Sequence, residues 1–304
     1  MIWHILGAGS LGCLWASRLQ LAGQENRLIV RSGHLQLYQE QGSRIHFTDR
    51  QQTRHLLPIR LETAQTPGLI QHLLLACKAH AAAEAIASVR HRLAPDANLL
   101  LLQNGIGSQQ EVAAMLPTAQ VWLASSTEGA YMSSPFHCVH AGTGQTLIGP
   151  FKQAPAPSWL GTLATCGIPC QWQPDILPAL WLKLAINCLI NPLTVIHTCR
   201  NGDLRHHLGK IELLSAELAA LLQAAGYPVT TQHLFNTVQQ VIRGTADNTS
   251  SMLQDVQQGR RTEISYITGF ALQQSRALHT PHQQLLALHQ RLQAHLAQQG
   301  LPTD

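Results

Sequence analysis

The sequence opens with M-I-W-H-I-L-G-A-G-S-L-G, residues 1–12, and this stretch decides the fold of the amino-terminal half. Residues 1–6 form a short apolar run that predicts a buried strand. Glycines follow at positions 7, 9 and 12, and a helical pattern then covers residues 11–22. A G-x-G-x-x-G pattern between a strand and a helix is typical of a turn that binds the pyrophosphate of a dinucleotide.

Each glycine has a physical task in such a turn. Gly7 permits the tight bend, Gly9 lets the backbone approach a phosphate, and Gly12 lets the helix pack on the strand. The start of the helix adds free N–H groups and a partial positive charge, which attract anions. We therefore expect the whole turn to bind the cofactor, through Gly7, Ala8, Gly9, Ser10, Leu11 and Gly12.

Arg31 ends the second predicted strand, residues 28–30. In a dinucleotide-binding fold this position reads the adenosine ribose. An acidic side chain there accepts hydrogen bonds from the 2′-hydroxyl of NAD, whereas an arginine accommodates the 2′-phosphate of NADP. No Asp or Glu stands at positions 29–34. The sequence therefore favours NADP, and the alternative is an ordinary arginine at a strand end.

Further apolar runs predict buried strands of a parallel sheet, at residues 73–76, 99–102 and 121–124. Lys78 and Asn104 follow the first two runs, so we expect both at the carboxyl edge of the sheet, where ligands bind. The Asn-Gly pair that begins at Asn104 is equally compatible with a plain turn. Residues 44–62 and 127–149 contain only short β-like segments whose place in the fold the pattern leaves open.

Two prolines in Q-P-D-I-L-P, residues 173–178, mark a change from short strands to long helices. The helical segments that follow are residues 179–197, 209–225, 231–246, 251–259, 262–279 and 282–298. We therefore predict an α/β protein with two domains. The first is a Rossmann-type NADP-binding domain, residues 1–174, and the second is an all-helical substrate-binding and catalytic domain, residues 175–304.

One of these helices carries a polar stripe. Within W-L-K-L-A-I-N-C-L-I-N-P-L-T, residues 181–194, Lys183, Asn187 and Asn191 stand four residues apart and share one face. Their neighbours are almost all apolar, so the helix is expected to be mostly buried. A buried lysine has a readily shifted pKa and suits proton transfer near neutral pH. The alternative is a structural lysine whose ammonium reaches the surface.

Two further polar groups stand in the second half of the chain. Ser251, followed by Gln254, has the spacing of a helix capping box, and a serine at a helix start also suits a carboxylate ligand. Glu263 stands near the start of the next predicted helix, beside its apolar face. Its sequence context alone favours a surface ion pair with Arg260 or Arg261 over a place in a site.

Composition restricts the ligands and the compartment. The chain of 304 residues has a formal net charge of +4 and no basic block longer than Arg260-Arg261, which favours small anionic ligands over nucleic acid. Its seven cysteines are scattered, and Cys166 and Cys170 have no second pair at metal-binding spacing, so we expect no metal. Scattered thiols, no signal-peptide pattern and no stretch of membrane-spanning length favour a cytoplasmic protein without a membrane partner.

Together the motifs resemble those of the bacterial ketopantoate reductases, and the resemblance runs almost end to end. The matching stretches are G-A-G-S-L-G at 7–12, A-C-K-A at 76–79, Q-N-G-I-G at 103–107, W-L-K-L-A-I-N-C-L-I-N-P-L-T at 181–194, N-G-D-L-R at 201–205, S-S-M-L-Q-D at 250–255 and T-E-I-S-Y-I-T-G at 262–269. The resemblance implies NADPH-dependent reduction of 2-dehydropantoate to (R)-pantoate, a step of pantothenate biosynthesis, by a Rossmann domain joined to a helical domain.

The resemblance also implies roles for single residues. Lys183 corresponds to the general acid that protonates the ketone oxygen, and Glu263 corresponds to the carboxylate that binds the substrate hydroxyl and helps keep the lysine charged. The implied substrate site consists of Asn104, Asn187, Asn191, Asn201 and Ser251. Of these, Ser251 corresponds to the serine that takes the substrate carboxylate.

On the cofactor side, the resemblance places Asn104 beside the nicotinamide, and Arg31 and Lys78 near the 2′-phosphate and the adenosine. Glu263 is also expected among the cofactor-binding residues. Two alternatives stay open at this point. One is a reductase of the same architecture for another 2-oxo acid. The other is an inactive NADP-binding protein, although such a protein has no need of the proton donor Lys183. The sequence leaves a monomer and a homodimer equally open.

Overall fold

A computed structural model describes all 304 residues of the chain. The chain forms two compact units. The first consists of residues 1–103 and 108–176, and the second consists of residues 104–107 and 177–304. The short segment 104–107 therefore belongs with the carboxy-terminal unit, although the residues on either side of it in sequence do not.

All the strands lie in the first unit. Numbered along the chain, they are β1 (Trp3–Leu6), β2 (Asn26–Ile29), β3 (Ile45–Thr48), β4 (Arg54–Leu57), β5 (Arg60–Glu62), β6 (Ile70–Leu75), β7 (Leu93–Leu101), β8 (Gln120–Ser126), β9 (Gly129–Ser134), β10 (His137–Gly142), β11 (Thr146–Pro150) and β12 (Cys170–Trp172). The helices of this unit are α1 (Ser10–Leu21), α2 (Ser32–Glu40), α3 (Ala82–Val89), α4 (Ser108–Met115) and α5 (Leu160–Thr165).

Eight strands form one sheet in the order β12-β11-β8-β7-β6-β1-β2-β5. The strands from β5 to β8 in this order run parallel, with β1 in the middle and the chain winding outward to both sides. This is the doubly wound arrangement of dinucleotide-binding domains. β11 then pairs antiparallel with β8, and β12 extends the sheet. The predicted α/β class is confirmed.

The carboxyl-terminal parts of β6 and β7 are apolar, and β1 is apolar apart from His4, because both faces of these strands are covered. All four residues of β1 are buried, as are the last three residues of β6 and of β7. Buried parallel strands of this kind read as continuous apolar runs, which is why residues 73–76 and 99–102 could be recognised from sequence. The carboxyl ends of β1 and β6 lie side by side at the point where the strand order reverses, which is where such sheets bind their ligands.

Residues 44–62 and 127–149, which the sequence pattern left unplaced, mostly build a second sheet in the order β4-β3-β10-β9. β3 pairs parallel with β10 from far along the chain, and both strands contact α1. Phe47 and Phe136 join the same buried core as Trp15 of α1. The second sheet therefore covers α1 and supports the helix that follows the glycine turn.

The second unit is helical. Its helices are α6 (Leu177–His197), α7 (Leu208–Ala224), α8 (Thr231–Gly244), α9 (Ser251–Gln257), α10 (Thr268–Ala277) and α11 (Gln283–Gln298). α6 is the central helix, since it contacts each of the other five. Its 21 residues and a mean hydropathy of 1.6 are enough for a membrane span, so the expectation that no stretch reaches that length was wrong. Because 67 % of the apolar window is buried, α6 has the character of a core helix.

The helix predicted over residues 262–279 is interrupted, so this prediction was wrong in detail. A 3-10 turn, Ile264–Tyr266, comes first, and α10 begins only at Thr268. Ile267 between them has φ −108° and ψ −90°, which is not helical. As a result Glu263 stands at the start of a tight turn and not on the side of a long helix.

Candidate active site

The glycine turn of the first unit is built so that only glycine fits at two of its positions. Gly7 has φ +116°, and a Cβ added there would stand 2.9 Å from the backbone nitrogen of Cys77. A Cβ added at Gly12 would stand 2.0 Å from the carbonyl oxygen of Gly7. A side chain at Gly7 would force the turn away from the segment that follows β6, and one at Gly12 would force α1 away from the turn. The close packing of turn, helix and strand therefore requires both glycines.

The turn also presents the start of α1 without a competing cap. Gly9 is the N-cap residue of α1, no side chain caps the helix, and its first turn contains no acidic residue. The N–H groups and the partial positive charge at this helix start suit a pyrophosphate. The donor set and the steric fit of the glycines are therefore those that a dinucleotide requires.

Arg31 and Lys78 stand at the ends of two strands of the same sheet. Arg31 is exposed and is the N-cap residue of α2, just after β2. Lys78 follows β6 and precedes the 3-10 turn Ala79–Ala81. The side-chain amide of Gln103 donates hydrogen bonds of 2.9 Å and 3.1 Å to the carbonyl oxygens of Leu75 and Cys77, and so holds the backbone that carries Lys78.

In the second unit, α6 carries the predicted polar stripe. Lys183 and Asn187 are partly exposed, whereas Asn191 is only 6 % exposed. The helix continues past Asn191 in spite of Pro192 inside it. At about 100° per residue, Thr194 falls on the same face as the other three, eleven positions after Lys183. Thr194 is fully buried and extends the stripe by one position that the sequence interpretation missed.

Lys183 has the electrostatic character of a proton donor. Burial lowers the pKa of its ammonium from 10.5 to about 8, while the negative charge of Glu263 acts in the opposite direction. The charged form therefore predominates at neutral pH, but it can lose its proton at little cost. A general acid is most effective when its pKa lies near the working pH, and Lys183 meets this condition.

Glu263 is buried, with 4 % of its surface exposed, so the surface ion pair favoured by its sequence context was wrong. Arg260 pairs with Asp255 at 3.0 Å, and Arg261 pairs with Asp304 at 2.8 Å. Both arginines thus have other carboxylates as partners. The tight turn after Glu263 instead directs its carboxylate inward, where it influences Lys183.

The segment 104–107 holds Glu263 from the other side. The side-chain amide of Asn104 donates a hydrogen bond of 3.3 Å to the Glu263 carboxylate, and the backbone N–H of Ile106 donates one of 3.0 Å to the carbonyl oxygen of Tyr266. Gly105 has φ +76°, and a Cβ there would stand 2.1 Å from that same oxygen. The approach of the two segments therefore requires a glycine at position 105.

The cap of α9 is Ser250 and not Ser251, which corrects the predicted capping box. The hydroxyl of Ser250 accepts a hydrogen bond of 3.1 Å from the backbone N–H of Leu253. Ser251 is the first residue of α9, and it is exposed. Since Ser250 performs the capping, the hydroxyl of Ser251 is not the cap of α9, and its role in binding a carboxylate stays a prediction.

Asn201 is tied to the chain segment that leads into α9. Its side-chain amide donates a hydrogen bond of 2.9 Å to the hydroxyl of Thr245, and its backbone N–H donates one of 3.0 Å to the carbonyl oxygen of Asn248. The buried Oδ1 atom of Asn201 has no hydrogen-bond partner. These contacts show Asn201 holding the segment before Ser250, and its contact with substrate stays a prediction.

The first unit thus offers a doubly wound sheet with a glycine turn that fits a dinucleotide. The second unit gathers a lysine of lowered pKa, a buried carboxylate and a row of carboxamides. These features define the class of dinucleotide-dependent oxidoreductases. The chain belongs to the ketopantoate reductase PanE/ApbA family, whose amino-terminal part matches residues 3–153 and whose carboxy-terminal part matches residues 175–296.

Among its relatives, the 2-dehydropantoate 2-reductase of Yersinia pestis is 36 % identical over 90 % of this chain and 88 % of that protein. The solved structure of a PanE/ApbA family ketopantoate reductase from Ralstonia eutropha JMP134 has a TM-score of 0.87 at 24 % identity, covering 99 % of this chain and 100 % of that one. A D-mandelate dehydrogenase solved with NADH and anilino(oxo)acetate has a TM-score of 0.91 at 18 % identity, with the same coverage. At these identities the two structures show a shared fold alone.

Proposed function

We propose that this protein is an NADPH-dependent oxidoreductase that reduces 2-dehydropantoate to (R)-pantoate in the biosynthesis of pantothenate. Family membership over almost the whole chain supports the reaction. The observation that carries the proposal is Lys183, a lysine whose pKa is lowered to about 8 beside the buried carboxylate of Glu263. This pair supplies the proton that reduction of a ketone requires.

When bound, NADPH supplies the hydride that adds to the ketone carbon. As the hydride arrives, the ketone oxygen becomes negative, and the ammonium of Lys183 stabilises that charge and then gives it a proton. Glu263 favours the charged form of Lys183 before the reaction. The hydrogen bond from Asn104 to Glu263 fixes the carboxylate that does so.

The remaining polar groups of the second unit hold the 2-oxo acid. The hydroxyl of Ser251 donates to the substrate carboxylate, and the carboxamides of Asn187 and Asn191 hold the substrate along α6. Glu263 accepts a hydrogen bond from the substrate hydroxyl. Asn201 acts at the edge of the site by holding the segment that leads to α9. A small anionic substrate fits this set of donors and acceptors.

The first unit holds the cofactor. Residues 7–12 bind the pyrophosphate at the start of α1, because the glycines permit close approach and the helix start favours an anion. Arg31 binds the 2′-phosphate of NADPH, in keeping with its exposed position at the end of β2 and the lack of an acidic residue at positions 29–34. Lys78, at the end of β6, adds a second positive charge on the adenosine side.

We further propose a cytoplasmic protein that acts as a monomer or a homodimer. Seven free cysteines support a reducing compartment, where thiols stay unpaired. The two domains have separate tasks in this proposal: residues 1–174 bind NADPH, and residues 175–304 bind the substrate and supply the proton.

The test is the loss of NADPH absorbance with 2-dehydropantoate, compared with pyruvate and 2-oxoisovalerate at equal concentrations. We expect kcat/KM for 2-dehydropantoate to exceed the values for both other acids. A higher value for one of the others would make the protein a reductase of a different 2-oxo acid. Binding of NADPH without turnover of any of them would leave an inactive NADP-binding protein.

A further inference from the structure

Two buried hydroxyls connect α6 to the start of α9. The hydroxyl oxygens of Thr194 and Ser250 lie 2.6 Å apart. Thr194 is 0 % exposed and Ser250 is 6 % exposed. A contact this short between two buried hydroxyls is a hydrogen bond shielded from water, so it keeps its full directional strength.

The protons of this group can be assigned by counting donors and acceptors. The Thr194 hydroxyl donates its single proton to the carbonyl oxygen of Asn191, 2.8 Å away. The Ser250 hydroxyl must then donate to Thr194, while it accepts from the backbone N–H of Leu253 at 3.1 Å. Each hydroxyl donates once and accepts once, which satisfies both. The result is a continuous chain of hydrogen bonds from the backbone of α9 to the backbone of α6.

This chain joins two parts of the candidate active site. Its α6 end is the backbone of Asn191, on the same helix face as Lys183. Its α9 end is Ser250, and the next residue is Ser251, the proposed partner of the substrate carboxylate. The bonds therefore fix the start of α9, and with it the position of Ser251, relative to the backbone of α6.

We propose that Thr194 and Ser250 form a positioning pair that sets the Ser251 hydroxyl against the α6 stripe for binding of the substrate carboxylate. This proposal rests on the proposed function and deepens it. Neither hydroxyl of the pair contacts the substrate. They act through Ser251, and small displacements of such an anchor are costly because catalysis depends on the geometry of the bound substrate.

The test is the substitution Thr194→Val, which keeps the shape of the side chain and removes the hydroxyl. We expect the KM for the 2-oxo acid to rise about tenfold or more while kcat falls less, and the Kd for NADPH to stay at the wild-type value. Thr194→Ser keeps the hydroxyl and should restore the KM. If Thr194→Val fails to fold, Ser250→Gly removes the pair from the other side, since glycine is tolerated at helix N-caps.

A double-mutant cycle separates positioning from general damage. If the pair acts through Ser251, then adding Thr194→Val to Ser251→Ala should raise KM little beyond the value of Ser251→Ala alone. The proposal is overturned if the two substitutions act independently, so that the rise of KM in the double variant equals the product of the two single rises. Ser215→Ala is the matched control, because Ser215 is a buried serine of α7 whose hydroxyl bonds to the carbonyl oxygen of Ile211 at 2.7 Å. An equal rise of KM in that control would also overturn it.

The outcome separates this proposal from the proposed function. Wild-type enzyme that reduces a 2-oxo acid, together with an unchanged KM in Thr194→Val, refutes the positioning pair and leaves the reductase activity standing. If the wild-type enzyme reduces no 2-oxo acid, the proposed function is refuted. The positioning pair is then refuted as well, because it was proposed to act on the binding of that substrate.

Discussion

Raising the pH should switch off reduction as Lys183 loses its proton. Burial lowers the pKa of this ammonium to about 8 against the opposing effect of Glu263. At that pKa about 90 % of the lysine is charged at pH 7 and about 10 % at pH 9. Because kcat/KM reports the essential acid of the free enzyme, we expect it to fall roughly tenfold between pH 7 and pH 9.

Glu263→Gln tests the origin of this pKa. The carboxylate raises the pKa of Lys183, so the neutral amide of the variant should let the pKa fall below about 8. The decline of kcat/KM should then begin at lower pH than in the wild type. The assay is the initial rate of NADPH oxidation over a range of about pH 6 to 10, with NADPH binding measured at each pH as a control.

Two variants of the lysine complete this test. Lys183→Ala should lose most turnover while still binding NADPH. Lys183→Arg keeps a charge that does not titrate in this range, so any residual activity should show no decline near pH 8. The assignment of Lys183 as the acid is refuted by a wild-type profile that stays flat up to about pH 10, or by normal turnover in Lys183→Ala.

Further substitutions test the cofactor side, the segment 104–107 and the stability of the helical unit. Arg31→Ala should weaken NADPH binding about 10- to 100-fold and NADH binding far less, because only NADPH has the phosphate; equal losses for both would remove the case for NADPH specificity. Gly105→Ala should lower kcat at least about tenfold, because φ is +76° there and a Cβ would meet the Tyr266 carbonyl oxygen at 2.1 Å. Gly23→Ala is the control, since φ is +74° there with nothing within 4 Å, and it should cost only about 1 kcal/mol of stability. Equal kcat values for the two variants would contradict the steric argument. The carboxylate of Glu217 accepts two backbone N–H groups at the start of α11, at 2.8 Å and 2.9 Å. Glu217→Ala should therefore lower the free energy of unfolding by about 2 kcal/mol in urea titrations without a change in kcat, and an unchanged midpoint would show that water replaces the carboxylate.

Much of the framework follows from local patterns in the sequence. The glycine spacing at residues 7–12 predicts the turn between β1 and α1, because only glycine permits that bend and that packing. The four-residue spacing of Lys183, Asn187 and Asn191 predicts one helix face, because an α-helix brings such positions together wherever it lies. Patterns of this kind depend only on residues that are close together in the sequence, so they can be recognised without knowledge of the tertiary structure.

The tertiary structure alone decided which distant groups meet. Glu263 has arginines two and three positions before it, and local sequence favoured an ion pair with them. Packing instead gives those arginines other partners, Asp255 and Asp304. Glu263 is thereby left to face Lys183 and Asn104, far from it in sequence. No local pattern encodes that choice.

The pairing of β3 with β10 and the assignment of the α9 cap to Ser250 are of the same kind. β3 and β10 are short and stand far apart in the sequence, so their pairing depends on the core that they share with α1. Ser250 and Ser251 are equivalent by residue type, and the buried hydroxyl of Thr194 distinguishes them. The sequence by itself determined the elements and the polar stripe, since these arise from the periodicity of the backbone. The tertiary structure decided the partners of each charge and hydroxyl, since burial and distance exist only once the chain has packed.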